Sequence, residues 1–494
     1  MTQQQEQFSN RWGIILASLG MAIGAGNLWR FPRLAGQYGG TFLILWVLFL
    51  LVWSIPLLLA EFGLGKKYKK SVIGSYASAT GEKFTWAGFF IALCTLGITF
   101  YYSVVTAWGL RYLGFSLSNL GAEIPLSQQL ESDPAYLQNL WKSVSTENFG
   151  TLGLHFVALS FGVFILIKGV QKGLERANKI LIPSLFILLL IIISIALNMD
   201  GGIKGLDYMF TVRPELFTQP KVWIEAVSQS AWSTGAGWGL MMTLSAYSRD
   251  KEDVTLNTFI GGFGNNTASL LAGMAILPAV FALAPSEAEA INLLNAGNQA
   301  LIFTVIPALF AQVFGGEVLA VIFFMAFSMA ALSSLLAMME MLIKLLMDWG
   351  FERDGATLRT GIFCLFFGLP SAWSLDFFSN QDWVWGVGLI ISGIIIVFAV
   401  AKIGFKKFKD EYVDHDSDFK ISTLYFSTVM IMNGLLGIGL LYWWLSQDYS
   451  ASWFDKNGNW DLFGTYSNAS TLTQWLFVIL LGIVLNRFLY QKFK

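Results

Sequence analysis

Apolar runs of about 20 residues recur along this chain, and few architectures can absorb them. A run of that length crosses the hydrocarbon core of a bilayer as a helix. Twelve candidate spans lie near residues 13–35, 41–63, 86–115, 151–168, 180–198, 223–247, 254–283, 316–347, 358–374, 382–402, 422–446 and 471–490. Of 494 residues, 55% are hydrophobic and 13% charged, whereas soluble proteins carry about 25% charge. Too little polar surface remains for a water-facing globule, so an all-α integral membrane protein is expected. The first run lacks a basic start and a small-residue cleavage site and carries Asn27 and Arg30, so it does not read as a cleavable leader. A net charge of −1 argues against nucleic-acid partners. Cys94 and Cys364 are too few for a disulfide framework. His155 and His415 leave little for a metal centre or Ser-His catalysis, so the chain does not read as an enzyme.

Lys and Arg set the orientation. If both termini share a side, that side holds Lys66, Lys67, Lys69 and Lys70, then Lys168, Lys172, Arg176 and Lys179, then Arg249 and Lys251, then Lys402 to Lys409. The longer opposite loops hold far fewer. The basic side is expected to be cytoplasmic. Segments 117–150 and 448–470 are polar outer loops, and 285–313, with Pro307, reads as an outer helical loop. No linker divides the chain.

The first span contains Gly20, Gly24, Gly26, Asn27, Arg30 and Pro32. Each Gly costs about 1 kcal/mol inside a helix and Pro about 3. Such a span unwinds, and unwound backbone at membrane depth must line a cavity or be buried in protein. Glycines alone would equally suit close helix packing. The sixth span, however, is interrupted in the same way, over Gln229 to Gly239, with Gly235, Gly237 and Gly239. Five spans separate the two breaks. An odd number inverts the second copy, and paired broken spans mark the substrate site of a secondary transporter. The expected organisation is residues 1–198 as one five-span repeat, 199–405 as the inverted second, and 406–494 as two further spans.

These residues resemble the neurotransmitter:sodium symporter family in its bacterial amino-acid branch. The stretch Gly24-Ala25-Gly26-Asn27-Leu28-Trp29-Arg30-Phe31-Pro32 is similar to that family's first-span signature. Similarity continues at Gly39-Gly40, Ile55-Pro56 through Glu61, Tyr101-Tyr102, Lys172-Gly173-Leu174-Glu175, Gln229 to Gly239, and Ala331-Leu332-Ser333-Ser334 through Glu340. It implies a LeuT-like fold of twelve spans, built as a 5+5 inverted repeat plus two peripheral helices. It also implies sodium-coupled uptake by alternating access in the plasma membrane of a bacterium. The sequence leaves the oligomeric state open.

Carried over residue by residue, the resemblance implies two sodium sites. The first uses Ala22, Asn27, Ser233 and Asn265, with Asn266 as the neighbouring register. The second uses Gly20, Ile23, Ala330, Ser333 and Ser334, although the two serines could instead bond back to their own helix. The implied substrate walls are Ala22, Gly24, Gly26, Ile98, Tyr102, Trp232, Ser233, Gly235, Trp238, Ser334 and Met338. Monoamine members carry Asp where this chain has Gly24, so a neutral, hydrophobic or aromatic α-amino acid is expected. The alternatives are an osmolyte or γ-amino-acid carrier, or a transporter-like channel or sensor. The implied outer gate is Arg30 with Asp382, roofed by Trp232. At the inner gate Tyr247, Glu340 and Asp348 are present. The family's Arg near position 5 is replaced by Gln5, which leaves Arg11, or packing by Phe8 and Trp12, to substitute. Gly173 and Pro183 have the spacing with which family members unwind the inner half of span 5, although the pair would equally suit an ordinary Gly-Pro kink. Span 7 carries no acid, so chloride support is expected from Trp46, Gln229, Ser233, Asn265 and Ser269.

Overall fold

The computed structural model describes residues 6–146, 149–446 and 453–494. It is all-helical, with one isolated antiparallel bridge, Phe454 to Trp460, among the described residues. Gln5 lies outside them. Among the described residues, nine helical stretches are long and apolar enough to cross a membrane. The number rises to ten if Glu287–Leu294 and Asn298–Phe310, which meet at 118°, count as one.

The count differs from twelve for physical reasons. The first span is two helices, α1 (Arg11–Ala22) and α2 (Ala25–Phe49). Asn10 caps α1 by accepting from the Gly13 N–H at 3.1 Å. The far half of α2 bends at Gly39, where φ is +59°, and runs through a π-helical turn, Leu50–Ser54, into α3 (Ile55–Tyr68). Spans 1 and 2 are thus almost one continuous stretch. Next come α4 (Thr85–Asn119), α5 (Phe149–Leu166) and α6 (Arg176–Asn198). The sixth span is again two helices, α7 (Pro220–Thr234) and α8 (Leu240–Ala246). Then follow α9 (Val254–Leu283), α10 (Gly316–Trp349), α11 (Arg353–Trp373), α12 (Leu375–Ile403), α13 (Thr423–Leu445) and α14 (Asn468–Phe493). Helix α11 starts with Arg353, Asp354 and Arg359, which dilute its apolar character.

Polar contacts gather the basic connections at one end. Lys66 reaches Asp416 at 2.8 Å and the Glu252 carbonyl at 2.7 Å. Lys402 bonds the Thr80 carbonyl at 2.5 Å, Arg11 faces Glu252 at 3.5 Å, and Lys70 meets the C-terminal Lys494. At this end Asp416 is held below the ordinary carboxylate range: partial burial opposes ionisation, but hydrogen bonds from Lys66 and His415 outweigh it.

The helix α10, which carries Ser333 and Ser334, is central, with 72% of its apolar window buried. The corresponding figures for α13 and α14 are 33% and 22%. An apolar residue left on the outer face of such a helix faces lipid at no hydrophobic cost, so α13 and α14, with α5 and α6 at 33% each, lie at the outside of the bundle.

Candidate functional site

The two breaks are built differently. Between α1 and α2 only Ile23 and Gly24 leave the helix, both extended. The Asn27 side chain stabilises the restart, its Oδ1 accepting from the Gly24 N–H at 3.0 Å. Between α7 and α8 five residues leave the helix, and Gly235, Gly237 and Gly239 have φ of +71°, +91° and +74°. Only glycine holds that conformation at little cost. The freed N–H groups need partners, and the wholly buried Glu61 of α3 supplies them. It accepts from Gly237 N at 2.7 Å, Met241 N at 3.1 Å and Met242 N at 3.4 Å.

Oxygen donors converge at two points. At the first, Asn27 Nδ2 donates to Asn265 Oδ1 and to Ser269 Oγ, both at 2.8 Å. The same amide atom of Asn265 lies 2.9 Å from the Ser233 carbonyl and 3.2 Å from the Ala22 carbonyl. As a nitrogen it donates to both carbonyls. As an oxygen it completes a set of hard acceptors, the arrangement a cation prefers. Asn265, not Asn266, is the register that meets Asn27 and Ser233. At the second point, Ser334 Oγ lies 3.1 Å from the Gly20 carbonyl, 3.2 Å from Met21 and 3.3 Å from Ile23. Ser333 Oγ lies 3.3 Å from the Ile23 carbonyl and also bonds back to Ala330 at 2.9 Å. Back-bonding and convergence therefore coexist.

A cavity of 440 Å³ opens over both breaks. Ala22, Gly24, Gly26, Tyr102, Trp232, Ser233, Gly235, Trp238, Ser334 and Met338 all line it. The Tyr102 hydroxyl accepts from the Ala25 N–H at 3.0 Å, at the N-terminus of α2. A side chain on Gly24 has no room: its Cβ would sit 2.6 Å from that hydroxyl and 2.8 Å from Ser334 Oγ. Trp232 and Trp238 meet edge to face at 5.8 Å. Ile98 is the exception. It lies one turn before Tyr102, is fully buried and does not line the cavity. Trp238 packs at that depth, with its carbonyl accepting from Thr95 at 2.6 Å.

At the mouth the two residues of the expected outer gate stand apart. Arg30 and Asp382 both line it but do not pair. Arg30 Nη2 bonds Glu225 Oε2 at 3.1 Å, and Asp382 Oδ1 accepts from Tyr101 at 2.9 Å. The lining is therefore not free of acids: Glu225 and Asp382 sit at the mouth beside Arg30, Arg33 and Lys221, while the floor carries none. Glu225 was legible in principle. It lies four residues before Gln229 and eight before Ser233, on the cavity face of α7. Trp443 and Trp444 of α13 also line the mouth, from a helix without a sequence motif.

The opposite, basic end is bonded shut. Arg353 donates from Nη1 to Glu340 Oε1 at 2.9 Å, from Nη2 to Glu340 Oε2 at 2.6 Å, and from Nη1 to Glu6 Oε2 at 2.5 Å. Tyr247 donates to Glu340 at 2.7 Å, and its carbonyl accepts from Phe8 N at 3.0 Å. Arg11 does not fill the place of the missing arginine, because Glu252 engages it. Phe8 is buried, but Trp12 is 64% exposed and seals nothing. Asp348 bonds Lys344 at 2.8 Å and Ser71 N at 2.5 Å. Beside this end a π-helical turn, Val170–Glu175, contains Gly173 and leads into α6, which is helical through Pro183. Glu175 takes Ser9 N at 2.9 Å and Lys179 at 2.6 Å. Of the residues named for a chloride site, Ser269 bonds Asn27, while the Trp46 indole N–H and Gln229 Oε1 are buried and unpartnered.

The model of the Sodium:neurotransmitter symporter family matches residues 5–131 and 126–493. An uncharacterized sodium-dependent transporter of Bacillus subtilis is 30% identical over 385 residues, covering 76% of this chain and 81% of the relative. A sodium-dependent transporter of Methanocaldococcus jannaschii is 29% identical, covering 85% and 86%. The crystal structure of MhsT in complex with L-phenylalanine superposes with a TM-score of 0.76 at 25% identity, over 89% of this chain and 99% of that one. A chain with paired helix breaks over an oxygen-floored cavity, matched by that family along almost its whole length, belongs to the sodium:neurotransmitter symporter family and is a sodium-dependent transporter, not an enzyme.

Proposed function

We propose that the protein imports a neutral, hydrophobic or aromatic α-amino acid together with two sodium ions, by alternating access across a bacterial plasma membrane. It crosses twelve times, as two inverted five-span repeats and two peripheral spans, with both termini at the basic, cytoplasmic end. The observation that carries the substrate class is the floor of the cavity. There the α2 N-terminus and the Tyr102 hydroxyl lie beside the Asn27–Asn265 amide pair, under Trp232 and Trp238, with no acid among the described lining residues at that depth. A helix N-terminus favours an anion, so the carboxylate sits at Ala25–Gly26 and Tyr102, next to the first sodium. The amine meets the carbonyls freed at the breaks, and the side chain packs on the two indoles and Met338. The second sodium sits among the carbonyls of Gly20, Ile23 and Ala330 and the hydroxyls of Ser333 and Ser334.

Two sodium ions with a zwitterion carry two charges inward. At 100 mV each contributes about 2.3 kcal/mol, and a tenfold gradient adds about 1.4 kcal/mol per ion. The sum, about 7 kcal/mol, supports accumulation of about 10⁵-fold. In the transport cycle the outer mouth closes by passing Arg30 from Glu225 to Asp382. The Arg353–Glu340–Tyr247 network then opens, and the Gly173 turn unwinds toward the second sodium. MhsT in its phenylalanine complex shares this fold, which supports an aromatic amino acid as the first candidate.

A thermal-shift screen of the twenty amino acids, with and without sodium, tests the reading, because stabilisation follows affinity. Aromatic and large aliphatic amino acids are expected to raise the midpoint only with sodium present. Stabilisation by betaine or a γ-amino acid alone would contradict the substrate class. We also propose that chloride supports transport, held by the unpartnered Trp46 indole with Ser269, Gln229, Ser233 and Asn265. Uptake is expected to fall when gluconate replaces chloride, and equal uptake would refute it.

A further inference from the structure

A second cavity opens on the outer surface of the bundle at the basic end, beside the Gly173 turn. It measures 520 Å³ and lies between α5 and α6. Three cations line it: Lys168, Lys172 and Arg176. No acid lines it. The basic residues are exposed, and neither the Lys172 nor the Arg176 side chain has a hydrogen bond or ion pair among the described residues. Lys168 Nζ lies 3.7 Å from the centre of the Phe164 ring. The nearest carboxylate on the same turn, Glu175, is buried and engaged by Ser9 and Lys179.

The rest of the wall is apolar. Phe161 and Ile180 flank the opening, 49% and 58% exposed, on surfaces that face lipid. Gly173, in the turn before α6, packs against the Ile165 carbonyl, and Ala177 leaves a shallow strip on α6. The floor reaches Leu332 of α10, the residue before Ser333. The site thus joins three cations without a carboxylate partner at the membrane boundary to an apolar furrow running into the bilayer plane.

Basic side chains at such an end serve to orient the chain, and orientation alone needs no furrow. An anion from solution would use the cations and leave the furrow exposed to water. A zwitterionic lipid would fill the furrow and leave the net charge of the three cations unmatched. Basic pockets between helices on the cytoplasmic side match acidic lipid head groups. We propose that this groove binds one anionic phospholipid of the cytoplasmic leaflet. The phosphodiester lies among Lys168, Lys172 and Arg176, and an acyl chain lies over Gly173 and Ala177 toward Leu332. The assignment goes beyond the transport proposal and does not depend on it.

The test uses the full-length protein in detergent, with phosphatidylglycerol or phosphatidylcholine added and bound lipid counted by native mass spectrometry, without sodium or amino acid. Wild type is expected to retain phosphatidylglycerol over phosphatidylcholine by on the order of tenfold or more. The K168Q/K172Q/R176Q variant should fall to the phosphatidylcholine level, while K406Q/K407Q/K420Q, which removes three other basic charges, should behave as wild type. Ala177→Trp, which fills the furrow and keeps the charges, should also lose the lipid. Inorganic phosphate at millimolar concentration should not displace it. Full retention in the first variant or in Ala177→Trp, equal loss in the control triple, or displacement by phosphate would overturn the proposal.

Discussion

The two ends of the translocation path are held in opposite ways. At the mouth, Arg30 and Asp382 face one cavity without pairing, and each is engaged by a neighbour, Glu225 or Tyr101. At the basic end, Arg353, Glu340, Tyr247 and Glu6 form one bonded cluster, with Phe8 buried beneath it. The difference is one of desolvation. The side chains of Arg30 and Glu225 are 18% and 23% exposed, whereas Glu340 is fully buried and Arg353 is 11% exposed. A partly hydrated pair exchanges partners cheaply. A buried pair resists separation, because parting it leaves a charge in low dielectric. The conformation is thus open at the mouth and locked at the base, and in the proposed cycle the lock yields before cargo leaves.

The largest expected effect comes from breaking that lock. Arg353→Gln leaves the Glu340 carboxylate without its bidentate partner and should destabilise the protein by about 3–5 kcal/mol, read as a lowered thermal midpoint. A reporter cysteine at position 8, introduced as Phe8→Cys, should then label faster from the side of the basic end. Unchanged labelling would show that the cluster does not hold the base closed.

Next comes the cavity floor. Gly24→Ala forces a Cβ to within 2.6 Å of the Tyr102 hydroxyl, and overpacking of this kind costs about 1–3 kcal/mol. Amino-acid binding should fall in proportion, measured by sodium-dependent thermal shift. Tyr102→Phe removes one hydrogen bond to a charged group. It should weaken binding about tenfold, or about 1.4 kcal/mol, with folding intact.

The smallest effect belongs to the mouth. Glu225→Gln should change stability by less than about 1 kcal/mol and leave most uptake in place, while Asp382→Asn should cost more in uptake than in stability. If Glu225→Gln proved the more damaging for uptake, Glu225 rather than Asp382 would be the working partner of Arg30.

Much of this was legible in the sequence. Apolar runs gave the helices, and the glycine-interrupted stretches at Gly24 and Gly235–Gly239 gave the breaks, because backbone cost is local and written in residue type. The convergence of Asn27 with Asn265, and of Ser334 with Gly20, followed only from resemblance, since those partners lie more than 200 residues apart. Ile98 was misplaced, and the Glu225 partner of Arg30 in the open mouth went unseen, because both depend on how a neighbouring helix fills or leaves space. The role of Arg353 was invisible: a cation counted at a membrane rim looks the same whether it meets water or a buried carboxylate. The same blindness covered Trp443 and Trp444, which reach the mouth from a peripheral helix.

The central claim is that the open mouth and locked base serve uptake driven by sodium. Uptake of labelled phenylalanine into proteoliposomes tests it most directly, with an inward sodium gradient and an inside-negative potential imposed separately and together. The account predicts accumulation that requires sodium, grows with the potential and collapses when Arg353→Gln releases the base. Phenylalanine entry at the same rate without sodium, or accumulation indifferent to the potential, would contradict it.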